Sequence, residues 1–476
     1  MGLTMFKKAK QSFFVVWALF VFISLSACGG NDSGSKVKTV KNLTLFVHGF
    51  DKDGYKAKGI FGEKYPDEAL EKFQALGENY PVTEDTTVLN ITKATTYYGD
   101  TPPSYYTEKD IQDLKEVTAQ WDGGIPRYAM VVAKYAKHLM KQEKVDRINI
   151  VSGSMGSLVT RWMIEKDVEG LASAKKIAKW YSLEGVIRGN YAADRKEYIE
   201  NFYGGGALGS IDITHMTSDW IKENLQNPVS DAMSPFYKDI LLGQQASTDD
   251  NLSNGALTAL LFLNGQFSAN DGTQRVKDCR FDKTLPEARF NDLSPTFTLI
   301  HKNHLSIKDH KGAWANVMIF LNAKKRVKIT LVDAKVTDIK EKVQWYNTNE
   351  RAEIIFASKV YSSKVEKHWG IKEAIAENTR SGATLPVHHY DKNGDEKALN
   401  QFILDQFVPA DETKLVIDFK VEEIDYAAKY GVYERLNHHY DLVDKTQVSV
   451  PLENGIYPFE GNNWSFNLKV EVINYP

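Results

Sequence analysis

Apolar positions change their period near residue 325. From Asn42 to about Lys325, short unbroken apolar runs alternate with segments whose apolar residues recur every three or four positions. Leu43-Thr44-Leu45-Phe46-Val47 reads as a short buried strand, ended by His48-Gly49-Phe50. Between Ile125 and Lys144, the residues Tyr128, Val131, Val132, Tyr135 and Leu139 share one helical face, with Pro126 suited to the first turn. Arg147 to Val151 is predicted as a strand, followed by a Gly/Ser-rich turn and a helix from Gly156 through Ile164. Trp180 to Val186 and Thr296 to Ile300 are further predicted strands, and Ala313 to Leu321 is the last helix of this part. Strands separated by helices predict an α/β class: a mostly parallel sheet with helices on both faces. From Asn190 to Asn254 the pattern is irregular, interrupted by Gly204-Gly205-Gly206 and Asn227-Pro228. This stretch is expected to be a cap or lid insertion.

Beyond about Arg326 the period is two. Trp464, Phe466, Leu468, Val470 and Val472 alternate with polar residues, as do Leu415, Ile417, Phe419 and Val421, and as do Val327, Ile329 and Leu331. Alternation without intervening long helices predicts half-buried antiparallel strands, most simply an all-β sandwich-like domain over residues 326–476. The boundary is placed between Asn322 and Lys328, with the α/β domain covering 42–325. No internal repeat of fixed period stands out.

The first residues follow neither pattern. Lys7, Lys8 and Lys10 precede an apolar run from Ser12 to Leu25, and Leu25-Ser26-Ala27-Cys28 is followed by Gly29, Gly30, Asn31, Asp32, Ser33 and Gly34. A basic start, an apolar centre and small residues before a cysteine have the parts of an export signal. The tetrad resembles the bacterial lipoprotein signal, in which the cysteine is acylated and becomes the new N-terminus. That resemblance implies a signal peptide over 1–27, a lipidated Cys28, and a tether over 28–41. It also implies a membrane-anchored protein of the bacterial cell envelope. No acid follows Cys28, which in the sorting pattern of such proteins favours the outer membrane. The alternative for the apolar run is an uncleaved spanning helix, for which it is slightly short.

Composition narrows the function classes. With 59 Lys+Arg against 62 Asp+Glu, the net charge of −3 gives no basic excess with which to bind nucleic acid. Aromatic residues at 12% fit a packed globular chain rather than a disordered one. Two cysteines, Cys28 and Cys279, allow at most one disulfide and no cysteine-built zinc site. If Cys28 is lipidated, Cys279 is left as a small buried hydrophobe.

The chemistry is concentrated at Ile150-Val151-Ser152-Gly153-Ser154-Met155-Gly156-Ser157. A strand runs into a tight turn with small residues around a serine, and a helix follows. Such a turn lifts the serine hydroxyl clear of the sheet, as in a nucleophile elbow of the G-x-S-x-G kind. Ser152 stands where the first glycine is usual. A serine nucleophile needs amide donors where negative charge develops. The Met155 N–H at the helix start and the Phe50 N–H after the first strand are the candidates for this oxyanion hole. It also needs a base, because its free hydroxyl is a weak nucleophile. His301, His304 and His310 all follow the Thr296–Ile300 strand and precede the last helix.

Here the sequence resembles the bacterial lipase/esterase branch of the α/β-hydrolases. Asn303-His304-Leu305-Ser306-Ile307, then Val317-Met318-Ile319-Phe320-Leu321, fits the segment that carries the catalytic histidine in those enzymes. The resemblance implies His304 as the base, with His310 next. Asn270-Asp271-Gly272 resembles the segment carrying their catalytic aspartate, which implies Asp271 as the acid, with Asp292 or Asp282 as substitutes. Four short motifs in the family's order, over about residues 42–323, carry the likeness. It implies a serine hydrolase of carboxylic esters, of the triacylglycerol lipase or carboxylesterase kind, working through an acyl-enzyme on acyl ester or lipid substrates. No cofactor or metal is expected. A different expectation is a non-catalytic envelope-anchored binding protein on the same scaffold, its sandwich meeting a glycan or envelope partner; another is acyl transfer to an acceptor other than water.

Weaker patterns add little. Asp391-Lys392-Asn393-Gly394-Asp395 suggests a calcium loop, but Glu396 and Phe402 occupy positions where the EF-hand pattern needs Gly and Glu, so a solvated turn is expected. His388-His389 and His438-His439 lack a carboxylate or thiol framework and are expected to be polar surface.

Overall fold

The structure is a computed structural model. It describes residues 43–51, 54–62, 64–65, 71, 90–195, 210–225, 235–249, 257, 261, 268–281, 295–339, 352–379, 385–425 and 439–475. The export segment with Cys28, much of the expected cap, and Asp282 and Asp292 lie outside the described residues. No helix among the described residues is long and apolar enough to cross a membrane.

The first strands in chain order are β1 (Leu43–Val47), β2 (Lys64–Tyr65) and β3 (Asn90–Thr95). Helices α1 (Glu108–Trp121) and α2 (Gly124–Glu143) lead to β4 (Ile148–Gly153), α3 (Met155–Glu165) and β5 (Ile177–Leu183). Two short helices, α4 (Ile211–His215) and α5 (Ser218–Asn224), precede β6 (Leu241–Ser247), β7 (Thr296–Ile300) and α6 (Lys311–Asn322). Thr107 starts α1 through a capping box with Asp110, satisfying two amides that the helix itself leaves open. In α2, Tyr128, Val131, Val132, Tyr135 and Leu139 are all buried, as their spacing predicts.

β3, β1, β4, β5, β6 and β7 lie side by side in that order, each parallel to its neighbour. β1, β6 and β7 are buried along their whole length, because helices cover both faces of the sheet. The fold is therefore of the expected α/β class.

One expectation needs correcting. β6 falls inside the stretch read as cap, yet it is a central strand between β5 and β7. Its sequence, Leu-Leu-Gly-Gln-Gln-Ala-Ser, has no β-branched residue and two amides, so it did not read as a strand. Burial is still tolerated: the Gln244 side chain accepts the Phe281 N–H, and Gly243 makes room for Tyr181 and Phe320.

After α6 the chain forms β8 (Lys325–Val336), β9 (Ala352–Ser362), helix α7 (Ser363–Trp369), β10 (Ala376–Asn378), β11 (His388–Tyr390) and β12 (Glu396–Val408). It ends with β13 (Lys414–Asp425), β14 (His439–Pro451), β15 (Gly455–Glu460) and β16 (Trp464–Asn474). All pairings here are antiparallel. They do not make a self-contained domain with its own two sheets. β12 joins the edge of β7, so β12, β8, β16 and β15 extend the central sheet to eleven strands among the described residues. β9, β10, β11, β13 and β14 form a second sheet, whose Phe356 and Phe419 meet Trp464 and Phe466 of the first at ring-centroid distances of 5.0–5.4 Å.

The segment between Asn322 and Lys328, read as a boundary, is packed into the fold, with Asn322, Ala323, Arg326 and Val327 buried. Ala323 takes a left-handed turn (φ 37°) to end α6, and β8 starts two residues later. Phe320 of α6 packs between Tyr181 of β5 and Phe407 of β12. Arg326, fully buried, forms a two-pronged ion pair with Asp405 at 2.7 and 2.8 Å. Removing one member of such a pair leaves an uncompensated buried charge. Asp405→Ala is expected to lower unfolding free energy by roughly 3–5 kcal/mol, read from chemical denaturation. A single cooperative transition should carry both parts of the chain.

Candidate active site

β4 delivers Ser154 at the sheet's carboxyl edge, and α3 begins at the next residue. Ser154 has φ 50° and ψ −125°, a backbone region that side chains rarely occupy. Three hydrogen bonds hold it there. The Ser154 amide donates to the Leu183 carbonyl (2.9 Å), and the Ser154 carbonyl accepts from the Val186 and Ser157 amides (both 3.0 Å). Close approach also explains the small neighbours. A β-carbon at Gly49 would lie 3.0 Å from that of Ser154, and one at Gly156 would run into the carbonyls of Val47 and His48. Gly153 faces open space, and nothing in its surroundings requires glycine.

Ser152, in the place where glycine is usual, uses its hydroxyl. It accepts the Trp180 indole N–H at 2.7 Å and pairs with Ser157 Oγ at 2.9 Å, while Ser182 Oγ donates to Ser157 Oγ at 2.9 Å. All three serines are buried, so this network satisfies polar groups that would otherwise be costly. It ties the floor of the turn to β5.

The loop after β7 brings His304 over Ser154. His304 Nε2 is 3.0 Å from Ser154 Oγ, and Nδ1 is 2.8 Å from Asp271 Oδ2. The His304 amide also donates to the Asp271 carbonyl (3.0 Å), so backbone and ring are held by the same residue. Asp271 is buried; its Oδ1 accepts the amides of Thr273 (2.9 Å) and Gln274 (2.7 Å). Gly272 follows at φ 90°, which the turn requires.

The other histidines take different places. His310 is buried and caps α6, its Nδ1 accepting the Ala313 amide at 3.1 Å. His301 lies beside Thr248, with 3.4 Å between its Nδ1 and the hydroxyl. Asp391–Asp395 is the turn between β11 and β12, in which the Asp395 carboxylate accepts two backbone amides.

The loop after β1 lies against the serine. The Tyr97 hydroxyl is shared between the carbonyls of His48 (2.8 Å) and Gly49 (2.9 Å), Gly49 O lies 2.8 Å from His48 Nδ1, and the His48 ring stacks on Tyr97. The Asp51 amide donates to Tyr98 Oη (3.2 Å), whose hydroxyl in turn donates to buried Asp212 (3.3 Å). Burial pushes the Asp212 carboxyl up to about 6 against the hydrogen bonds of Tyr128, Tyr98 and Ser210. Met155, first in α3, has an amide that no helical carbonyl can reach.

Sequence reasoning missed one acidic side chain. Glu184, fully buried at the end of β5, has Oε2 3.9 Å from His304 Nδ1, and its Oε1 accepts the Ser247 hydroxyl. A lone carboxylate in Trp180-Tyr181-Ser182-Leu183-Glu184-Gly185-Val186 is expensive to bury, and that cost was the available signal. Burial disfavours the His304 imidazolium, but Asp271 and then Glu184 outweigh it and raise the imidazole above its ordinary value. Among the described residues, two sets of side chains could gather a cation. Glu184, Asp271 and His304 are one; Asp110, Asp113 and Glu169 are the other, and Lys134 already bridges the second.

No protein-family model matches the chain, and no curated protein matches it. Among solved structures, it is similar to the mature lipase BlEst2 of Bacillus licheniformis, at 14% identity and TM-score 0.36, over 61% of this chain and 96% of that one. The propeptide form of that lipase gives 11% identity and TM-score 0.35, over 92% and 98%. A metagenomic carboxyl esterase gives 14% and 0.34, over 58% and 68%. Likeness at these scores carries no functional weight. The strand order and the strand–serine–helix turn themselves define an α/β-hydrolase fold.

Proposed function

We propose that this chain is a serine hydrolase of carboxylic esters, with Ser154 as nucleophile, His304 as base and Asp271 as the acid that orients it. The observation that carries the reading is the unbroken line from Ser154 Oγ through the His304 ring to Asp271. Ser154 Oγ attacks the ester carbonyl while His304 Nε2 takes its proton. Asp271, holding Nδ1–H, fixes the tautomer and stabilises the imidazolium. His304 then returns the proton to the leaving alcohol, and water releases the acyl-enzyme by the reverse path. Leu305, beside the base and 74% exposed, suits an acyl or lipid substrate.

The developing oxyanion is stabilised by the amides of Met155 and Phe50. The direction of the second donor follows from peptide geometry. In a trans peptide the carbonyl of Gly49 and the N–H of Phe50 point opposite ways. Tyr97, by binding the Gly49 carbonyl, therefore aims the Phe50 N–H away from itself, and Tyr98 holds the next amide. The protein is further proposed to be tethered to the bacterial envelope, at the outer membrane, through an acylated Cys28.

Ser154→Ala should fold normally and lose at least about 10³-fold in ester turnover, and a fluorophosphonate should label only the serine form. Unchanged turnover in a folded variant would remove the assignment. A wild-type protein that resists labelling would favour a binding role on this scaffold. With His304 raised by its carboxylates, kcat/KM should climb through a midpoint above the free-imidazole value of 6.5, since the base must be unprotonated. Tyr97→Phe should lower kcat by roughly 10- to 100-fold with little change in KM, as expected for a misaimed donor. For the tether, Cys28→Ser expressed in a bacterium should abolish incorporation of labelled fatty acid and release the protein from membranes.

A further inference from the structure

Glu184 is a second carboxylate at the His304 ring, and the reaction as described makes no use of it. The ligand atoms of Glu184, Asp271 and His304 lie within 4.8 Å of one another. Two buried carboxylates this close cannot both ionise without penalty, so one of them keeps a proton more readily. Hydrogen bonding decides which. Asp271 meets the Thr273 and Gln274 amides and the imidazole, whereas for Glu184 the hydroxyl of Ser247 is the donor. More donors favour the charged form, so Glu184, with fewer of them, is the one that keeps a proton more readily.

We propose that Glu184 is a positioning residue for His304: a buried acid 3.9 Å from Nδ1 that serves as a second charge partner of the imidazolium once it ionises. The proposal rests on the reading of Ser154 and His304 given above. The titratable groups facing Glu184 are His304 after β7, Asp271 after β6, the Cys279 thiol and the Tyr181 hydroxyl of β5. Burial pushes both Cys279 and Tyr181 upward, so they stay neutral, and among the described residues Asp271 and His304 are the charged groups that exchange influence with Glu184. Burial first, and then Asp271, push the Glu184 carboxyl well above its ordinary range against the pull of His304 and Ser247. Once ionised, its negative charge favours the imidazolium that forms when serine gives up its proton.

Two measurements test this. The kcat/KM profile of the wild type should rise through two ionisations, that of the base and that of Glu184, the latter worth roughly ten-fold, one pK unit of interaction. Glu184→Gln should leave a single ionisation whose midpoint lies below that of the wild-type base; a uniform loss at every pH would instead mark a merely structural role and overturn the proposal. In Asp271→Asn the competing charge is gone, so Glu184 should ionise at lower pH and partly replace it. That variant should retain roughly 100-fold more activity than Asp271→Asn/Glu184→Gln, against the total loss of about 10⁴ known for a missing triad acid. Equal activity in the two would refute the substitution.

Infrared spectra supply a readout independent of turnover. The wild type should show the carbonyl band of a protonated carboxylic acid that persists above the ordinary carboxylate range and vanishes as pH is raised further. The band should be missing in Glu184→Gln. If that variant does not fold, Ser247→Ala, which removes the donor to Glu184, should move the band's midpoint to higher pH. No such band, or an unmoved one, would end the proposal while leaving Ser154 untouched. Activity in Ser154→Ala would end the catalytic reading while the band remained.

Discussion

The site depends on one backbone constraint, the left-handed conformation of Ser154. At φ 50° the serine is held in a strained turn, which is sustained only because its surroundings over-determine it. β5 accepts its amide through Leu183, and Val186 donates to its carbonyl. The Ser152–Ser157–Ser182 network fixes the relation of β4, α3 and β5 beneath it. The carbonyls of Val47 and His48 press on Gly156 from β1. A turn forced in this way projects its side chain from the sheet edge and starts a helix at the next residue. The hydroxyl and an open helix-start amide thus arrive together.

The constraint reaches the rest of the fold through the sheet. β6 carries Ser247 to Glu184, the loop after it carries Asp271, and the loop after β7 carries His304. The position of these groups depends on where β7 sits, and β7 is not an edge strand. β12 pairs with it, and Thr298 of β7 hydrogen-bonds to Gln406 of β12. Asn316 of α6 meets the same Gln406 and also the Ile375 carbonyl. The antiparallel region is thereby part of the scaffold that holds the histidine loop, whatever else its outer surface does.

How much of this could be read beforehand follows from the range of each signal. Ser154, the close-packed Gly49 and Gly156, and the loops bearing Asp271 and His304 sit in short segments whose residue types answer local geometric needs. The helix over Gly124–Glu143 was legible for the same reason, since its apolar spacing is a local property. β6 was not legible, because it has two glutamines and no β-branched residue, and the partner that compensates Gln244, the Phe281 amide, is distant in sequence. The antiparallel strands were legible one by one, but their membership of the central sheet was not. Period-2 alternation identifies a half-buried strand and says nothing about which strand it will pair with.

Glu184 and Tyr97 fall on the same side of that divide, and for a reason that bears on the chemistry. Each acts on a group far along the chain: Glu184 faces a ring 120 positions later, and Tyr97 fixes a carbonyl 48 positions earlier. Neither belongs to a motif, so neither can be recognised by spacing. What marks them is an apparent expense, a carboxylate or a hydroxyl buried where an apolar residue would fit. Such an expense is tolerated only where a partner compensates it, and here both partners are backbone or ring atoms beside Ser154. Buried polar groups of this kind are therefore a guide to the groups that tune a site, as local motifs are a guide to the groups that define it.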